Sequence, residues 1–184
     1  MRVKELMSVI ITNLVLISIL LSCQNNVNNR DSKDSGSGIS RQNDGSFLLK
    51  LEDAVCYSDR VNPSGNTAEW KFVIPGPGRY KVWLSSATKD TINLNYANSV
   101  KISLLDNHLE KNPECDKIIR NSSDVAYPYF RTDSYMGSFY FPEPGEYNIQ
   151  VISEKVVTRN IGSQNNTQAD NTKMMSLILV PMTR

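Results

Sequence analysis

Residues 72–84, FVIPGPGRYKVWL, and residues 139–151, FYFPEPGEYNIQV, share a phenylalanine, two prolines, a glycine and a tyrosine in register. On both sides of each proline–glycine corner, apolar residues alternate with polar ones. Alternation with a period of two is typical of half-buried strands, and proline is tolerated where no ladder donor is needed. We therefore predict that each copy is a β-hairpin, in which two antiparallel strands meet at the corner.

Further strand patterns flank the two copies. They lie at residues 47–51, 100–105 and 175–180, and Asp106-Asn107 provides a turn signal after the second of them. No long segment beyond the N-terminal stretch has helical periodicity. About eight to ten short antiparallel strands with turns between them predict an all-β fold, a jelly-roll-like β-sandwich.

The N-terminal residues 1–22 have the pattern of an export signal. Arg2 and Lys4 precede an apolar run, Leu6–Ser22, which is shorter than the roughly 20 residues that span a bilayer comfortably. The run ends at Leu-Leu-Ser-Cys, residues 20–23, which resembles the lipobox of bacterial lipoproteins. In that family the cysteine is joined to diacylglycerol, the signal is cut before it, and the new amine is acylated. The resemblance implies that Cys23 carries a membrane anchor; an ordinary secretory signal is the alternative.

The residues after Cys23 suggest where the protein is held. Gln24 stands where an aspartate can signal retention in the inner membrane, so we expect a lipid anchor in the outer membrane of a diderm bacterium, facing the periplasm or the exterior. Residues 23–46 are rich in Asn, Ser, Asp and Gly and cannot bury enough apolar surface to offset their ordering entropy. They predict a flexible linker, which leaves residues 47–184 as a single β-sandwich domain.

Composition and motifs argue against several functions. The chain has 20 Lys and Arg against 19 Asp and Glu, without a basic run, and so lacks the electrostatic footprint of a nucleic-acid-binding protein. His108 is the only histidine, and it lies in a turn with no nucleophile placed beside it by any motif. With so many acids, a pair of glycosidase carboxylates cannot be singled out from the sequence. The sequence therefore favours a protein without catalytic activity.

The cysteines beyond Cys23 are Cys56 and Cys115. Exported proteins meet oxidising conditions, so a disulfide between these two residues is permitted. Pairing also needs a particular geometry, which the spacing of two cysteines in a sequence does not reveal. The sequence leaves both the paired and the free state open.

The order of four segments resembles that of carbohydrate-binding modules of the family 6 and family 35 type, in the galactose-binding-domain-like superfamily. The segments are LKLEDA (49–54), AEWKFVIPGPGRYKVWLSSA (68–87), VKISLLDN (100–107) and GSFYFPEPGEYNIQVIS (137–153). The resemblance implies a sandwich that binds a glycan. Lys50 stands where the family often has an acidic residue, and Met174-Met175-Ser176 stands where it often has Asn-x-Asp. Glu52 alone then remains as a weak candidate ligand for a structural calcium ion, so we expect no calcium.

Sugar-binding modules stack aromatic rings on the sugar and pair its hydroxyls with amides and carboxylates. Residues 121–135, NSSDVAYPYFRTDSY, concentrate such side chains in a region of weak strand character, which predicts a binding loop. Trp83 has the opposite parity to its buried-type neighbours, and Asn171 lies in a long polar loop whose counterpart in the modules contributes an asparagine. The candidate ligand-binding residues are Tyr127, Tyr129, Tyr135, Arg131, Asp133, Trp83 and Asn171. Some of these aromatic rings instead fit a role in closing the end of the sandwich.

These patterns together predict a membrane-anchored, non-catalytic lipoprotein whose partner is a glycan or polysaccharide. One alternative is a module that contacts another protein of a cell-envelope complex, and a second is a small glycan-active enzyme. An exposed aromatic cluster would favour the glycan, and a broad apolar patch on one sheet would favour the protein partner. A deep pocket with paired carboxylates of shifted pKa would favour the enzyme.

Overall fold

The computed structural model describes Ile39 and residues 41–59, 61–157 and 171–182, and these residues form a β-sandwich. The strands are β1 (Phe47–Lys50), β2 (Val55–Tyr57), β3 (Thr67–Ile74), β4 (Gly78–Thr88), β5 (Val100–Leu104), β6 (Asn107–Lys111), β7 (Lys117–Ile119), β8 (Phe130–Phe141), β9 (Gly145–Ile152) and β10 (Thr172–Pro181). The predicted signal, Cys23 and the linker as far as residue 38 lie outside the described residues. In the described part of the chain, no helix is long and apolar enough to cross a membrane.

The strands form two antiparallel sheets of five strands each. The order in the front sheet is β1-β10-β4-β8-β7, and the order in the back sheet is β2-β3-β9-β5-β6. Alternate residues of both sheets point inward and pack face to face, as expected of a sandwich. Trp70 is buried there, as its parity predicts, and its indole N–H donates to the backbone oxygen of Lys50 at 2.7 Å. The prediction of an all-β sandwich is confirmed.

The two copies of the repeated motif are not hairpins. β3 and β4, which flank the first corner, lie in different sheets, and so do β8 and β9 around the second corner. Pro75 and Pro77 have no N–H to donate, so the three residues between β3 and β4 leave the ladder and carry the chain to the other sheet. The hairpin prediction is wrong because alternation shows that a strand has one buried face, but not which strand lies beside it.

The two copies instead pair with each other. Phe72 lies opposite Tyr147 in the back sheet, and Phe139 lies opposite Tyr80 in the front sheet. In each pair the first phenylalanine of one copy lies opposite the tyrosine of the other copy. An approximate two-fold axis therefore relates the two copies. The ring of Phe141 lies between them, with its centroid 4.9 Å from that of Tyr147 and 5.3 Å from that of Tyr80. The motif occurs twice because each copy is the other's partner in both sheets.

The remaining strand predictions hold in part. The patterns at residues 47–51, 100–105 and 175–180 correspond to β1, β5 and β10, and the turn after β5 begins at Leu105, which has a φ of 52°. The edge strands β2, β6 and β7 were not predicted. The predicted loop at residues 121–135 is wrong in its second part, because β8 begins at Phe130. Gly45 and Ser46, placed in the linker by sequence, are buried against the sandwich.

Candidate functional site

The outer face of the front sheet carries two rows of side chains that cross the strands. The first row is apolar and aromatic, and the second is polar. In register across the sheet, the first row is Leu48, Ile178, Trp83 and Tyr135, and the second is Lys50, Ser176, Ser85, Asp133 and Lys117. An aromatic strip beside hydrogen-bonding groups is the arrangement that small polar ligands with an apolar face require.

A β-bulge in β8 turns part of this face outward. Tyr135 has the same parity as the buried Phe139 and Phe141, but the pairing of β8 with β4 skips Met136, which points into the core instead. A bulge of this kind re-aims the side chains beyond it. Gly137, next to the bulge, has a φ of 137°, and a Cβ atom there would lie 2.8 Å from the side chain of Leu109. The bulge therefore places Tyr135 on the outer face, beside Trp83.

Trp83 lies in an open cleft of about 690 Å³ on this face. Its ring centroid is 5.2 Å from that of Tyr135, with an angle of 55° between the planes, and 37% of Tyr135 is exposed. The cleft is lined by Gln42, Asn43, Asp44, Ser46, Leu48, Lys81, Trp83, Lys117, Arg131, Asp133, Ile178 and Val180. The lining combines an apolar floor with a rim of charged and amide side chains.

Arg131 is fixed in the cleft by two carboxylates. Its Nε and Nη2 atoms donate to the two oxygens of Asp133 at 3.0 and 3.3 Å, and Nη1 donates to Asp124 at 2.8 Å. Burial acts to lower the pKa of Arg131, but the hydrogen bonds and charges of Asp133 and Asp124 outweigh it and raise that pKa above its ordinary value. Asp133 is only 4% exposed. Asp133 thus fixes the guanidinium of Arg131, whose contact with Asp124 joins the loop before β8 to that strand.

A second compartment of about 300 Å³ adjoins the cleft. The two share Leu48 and Arg131, and Lys50, Glu52 and Met175 complete much of the second lining. The remaining lining residues are Ser85, Asp124 and Ser176. The buried hydroxyl oxygen of Ser85 has no hydrogen-bond partner among the described residues. The two compartments form one groove that runs along β4 from Lys81 to Ser85.

The structure brings together four of the predicted ligand-binding residues, namely Trp83, Tyr135, Arg131 and Asp133, on this face. Tyr127 is 91% exposed in the loop before β8. The ring of Tyr129 lies 5.1 Å from Nζ of Lys89 and 5.2 Å from Nζ of Lys173, and the backbone oxygen of Asn171 accepts a hydrogen bond from the backbone N–H of Lys89. None of these three predicted residues lines the groove. Residues 158–170 of the polar loop lie outside the described residues.

Several residues that line the groove were not predicted from the sequence, among them Leu48, Ile178, Lys81 and Lys117. A signal for the first two was present, because Phe47–Leu49 and Leu177–Val180 are unbroken apolar runs. An unbroken run places apolar side chains on both faces of a strand, which indicates that the outer face also contacts something. The lysines carry no such signal, since lysine is common at exposed strand positions.

The predicted metal and disulfide residues lie away from the floor of the cleft. Glu52 is exposed, and one of its oxygens is 3.6 Å from Nζ of Lys50. Among the described residues, no group of three or more His, Cys, Asp or Glu is placed to hold a metal ion.

Cys56 and Cys115 are both free thiols in the structure. Cys56 is on β2, which follows β1 at one flank of the sandwich, and Cys115 precedes β7 at the opposite flank. The width of a five-stranded sheet is about 19 Å, far beyond the reach of a disulfide. Burial raises the pKa of each thiol above its ordinary value. Of the two states that the sequence left open, the structure has the unpaired one.

Comparisons with known proteins identify the fold. No protein-family model matches the sequence, and no curated protein matches it. An α-L-fucosidase from Vibrio sp. strain EJY3 has a similar structure, with a TM-score of 0.59 and 22% identity over 78% of this chain and 24% of that chain. A GH26-CBM35 β-(1,4)-mannanase from Podospora anserina has a TM-score of 0.44 and 10% identity over 77% of this chain and 28% of its own. The chain thus spans about a quarter of these longer proteins, and its likeness to the fucosidase shows the fold.

Proposed function

We propose that this protein binds a carbohydrate in the groove on the outer face of the front sheet. The observation that carries the proposal is the ring of Trp83, which lines an open cleft among hydrogen-bonding side chains and is flanked by the ring of Tyr135 on the same face. Aromatic faces pack on the C–H face of a sugar ring, and a few placed polar groups fix its orientation. A protein of similar fold is named as a fucosidase, which supports a carbohydrate-related role.

We propose binding without catalysis at this site. A glycosidase needs two carboxyl groups on either side of the bond that is cleaved, one of them free to exchange a proton. Both oxygens of Asp133 accept hydrogen bonds from Arg131, and Asp44 accepts from the backbone N–H and the hydroxyl of Ser46. The hydrogen bonds from Ser46 lower the pKa of Asp44. These two carboxylates of the cleft are thus both engaged in structural contacts.

The Trp83→Ala variant of residues 24–184 should bind its glycan at least about tenfold more weakly than the parent chain. It loses the stacking of the sugar on the indole ring, an interaction that contributes about 1.4 kcal/mol to the binding free energy. A glycan array identifies the ligand, and isothermal titration calorimetry then gives the affinity. Tyr127→Ala is the matched control, since it removes an exposed aromatic ring outside the groove. Equal losses in the two variants would contradict the assignment of the site. Failure of the folded protein to bind any glycan would favour an envelope protein as the partner of this face.

We further propose that Cys23 is lipidated and that a linker tethers the sandwich to the outer membrane. The support is the Leu-Leu-Ser-Cys sequence behind an apolar run. A protein held in this way is kept close to glycans of the cell envelope or the cell surface.

Cells grown with an alkyne analogue of palmitate should label the full-length chain, and Cys23→Ser should abolish the label, because the thiol is where the diacylglycerol is attached. Cys56→Ser removes another cysteine and should leave the label unchanged. Fractionation of the same cells should recover the parent chain with the outer membrane. Label retained by Cys23→Ser would refute the anchor.

A further inference from the structure

We propose that the saccharide is acidic, and that Lys81 and Lys117 bind its carboxylate or sulfate groups on either side of Trp83. This inference rests on the proposed carbohydrate-binding function and specifies its ligand. It follows from where the charges of the cleft lie and from which of them are already neutralised within the protein.

The two lysines flank the aromatic floor. Lys81 is two residues before Trp83 on the same face of β4, which places their Cα atoms about 7 Å apart. Lys117 is on β7 opposite Asp133, and β8 separates β7 from β4, so Lys117 lies about 10 Å to the side of β4. Both side chains are exposed and line the cleft. A chain of sugars that crosses Trp83 would pass one lysine and then approach the other.

Other charges of the groove are paired with a neighbour. Arg131 is neutralised by Asp133 and Asp124, and Lys50 lies 3.6 Å from Glu52. By contrast, Lys81 and Lys117 have no carboxylate within 4 Å among the described residues. Asp44 is the other carboxylate of the cleft, and it accepts hydrogen bonds from Ser46. Lys81 and Lys117 are thus the cationic side chains of the groove that are not paired with a carboxylate among the described residues.

The two unpaired lysines do not reflect an overall basic protein, because the whole chain carries 20 basic and 19 acidic residues. Arg79 adds a positive charge beyond Lys81 on the same face of β4, and its Nη1 donates to the hydroxyl of Ser138 at 3.3 Å. An ammonium group only donates hydrogen bonds, whereas a neutral sugar offers hydroxyls that both donate and accept. Carboxylates and sulfates accept only, so they complement the two lysines better.

A glycan array that holds neutral, uronic-acid and sulfated saccharides tests the inference on residues 24–184. The strongest binding should come from the acidic saccharides, and it should weaken at least several-fold between low and high salt, because the lysines are exposed to solvent. Uronic acids alone, sulfated sugars alone, or both together as the best ligands would each support the inference and would identify the source of the negative charge.

Lysine variants then test whether Lys81 and Lys117 bind the acidic groups of the saccharide. With the best acidic saccharide, Lys81→Gln and Lys117→Gln should each lower the affinity about threefold to tenfold and reduce its salt dependence. Their affinity for the neutral sugar of the same backbone should not change. Lys71→Gln, on the exposed face of the back sheet, is the matched control and should behave as the parent chain.

Two results would overturn the inference, and they are distinguishable from each other. Neutral saccharides that bind as tightly as acidic ones, with the same loss in Trp83→Ala, would refute the acidic ligand but leave the carbohydrate-binding function standing. No binding to any saccharide by the folded chain would refute both. A preference for acidic saccharides that persists in the double variant Lys81→Gln/Lys117→Gln would refute the role of these two lysines.

Discussion

Replacement of Arg131 by methionine is expected to destabilise the protein by about 3–5 kcal/mol, because it would leave the buried carboxylate of Asp133 without its bidentate partner. The methionine keeps much of the apolar stem, so the loss comes mainly from the charge. Asp124 would also lose its contact and with it the attachment of the loop before β8. Urea denaturation followed by tryptophan fluorescence measures the free energy of unfolding.

The double variant Arg131→Met/Asp133→Leu tests whether the loss of stability comes from the unpaired carboxylate of Asp133. Replacement of both partners of a buried ion pair by apolar residues is often close to neutral, so the double variant should recover much of the lost stability. Arg131→Lys keeps the charge but not the fork that matches both oxygens of Asp133, and it should give an intermediate loss. A loss below about 1 kcal/mol for Arg131→Met would mean that the pair behaves as an exposed one.

Phe141→Ala is expected to cost about 3–5 kcal/mol, because it empties the position where the two copies of the motif meet. The ring of Phe141 is fully buried and makes edge-on contacts with Phe72, Tyr80 and Tyr147. Each neighbour would lose contacts that the close-packed interior cannot replace. The same urea titration gives the effect.

Tyr140→Ala is the matched control for Phe141→Ala. Tyr140 is the neighbouring residue on β8, its side chain faces outward, and it is 56% exposed. Its replacement should change the free energy of unfolding by no more than about 0.5 kcal/mol. Similar losses for the two variants would show that the corner is not the centre of the packing described above.

Sequence patterns predicted seven of the ten strands of the described residues and much of the core, since alternation fixes which side chains of a single strand are buried. Trp70 and Phe72 are examples, and both are buried as their parity indicates. The pairing of the strands could not be predicted, because the chain at a proline–glycine corner can either fold back within one sheet or cross to the other sheet. The two outcomes differ only in contacts with strands that are distant in the chain.

The candidate site was predicted in part for the same reason. Trp83 could be recognised from its parity alone. Tyr135 lies on the outer face only because Met136 is accommodated by a bulge, and the bulge depends on how β8 pairs with β4. Leu48 and Ile178 reach the cleft from the first and the last strand of the sandwich, β1 and β10. Residues that meet through long-range pairing leave little trace in a local window of sequence.

The exchange of partners between the two motif copies has a consequence for folding. The central strand of the front sheet, β4, comes from the first copy, and the central strand of the back sheet, β9, comes from the second. In each sheet the central strand pairs with a strand of the other copy, β4 with β8 and β9 with β3. Neither sheet can therefore complete its hydrogen-bonded ladder until both copies are present. Such long-range pairing slows folding and makes it cooperative. The sandwich should therefore unfold as one unit, and an N-terminal fragment that ends before β8 should not fold.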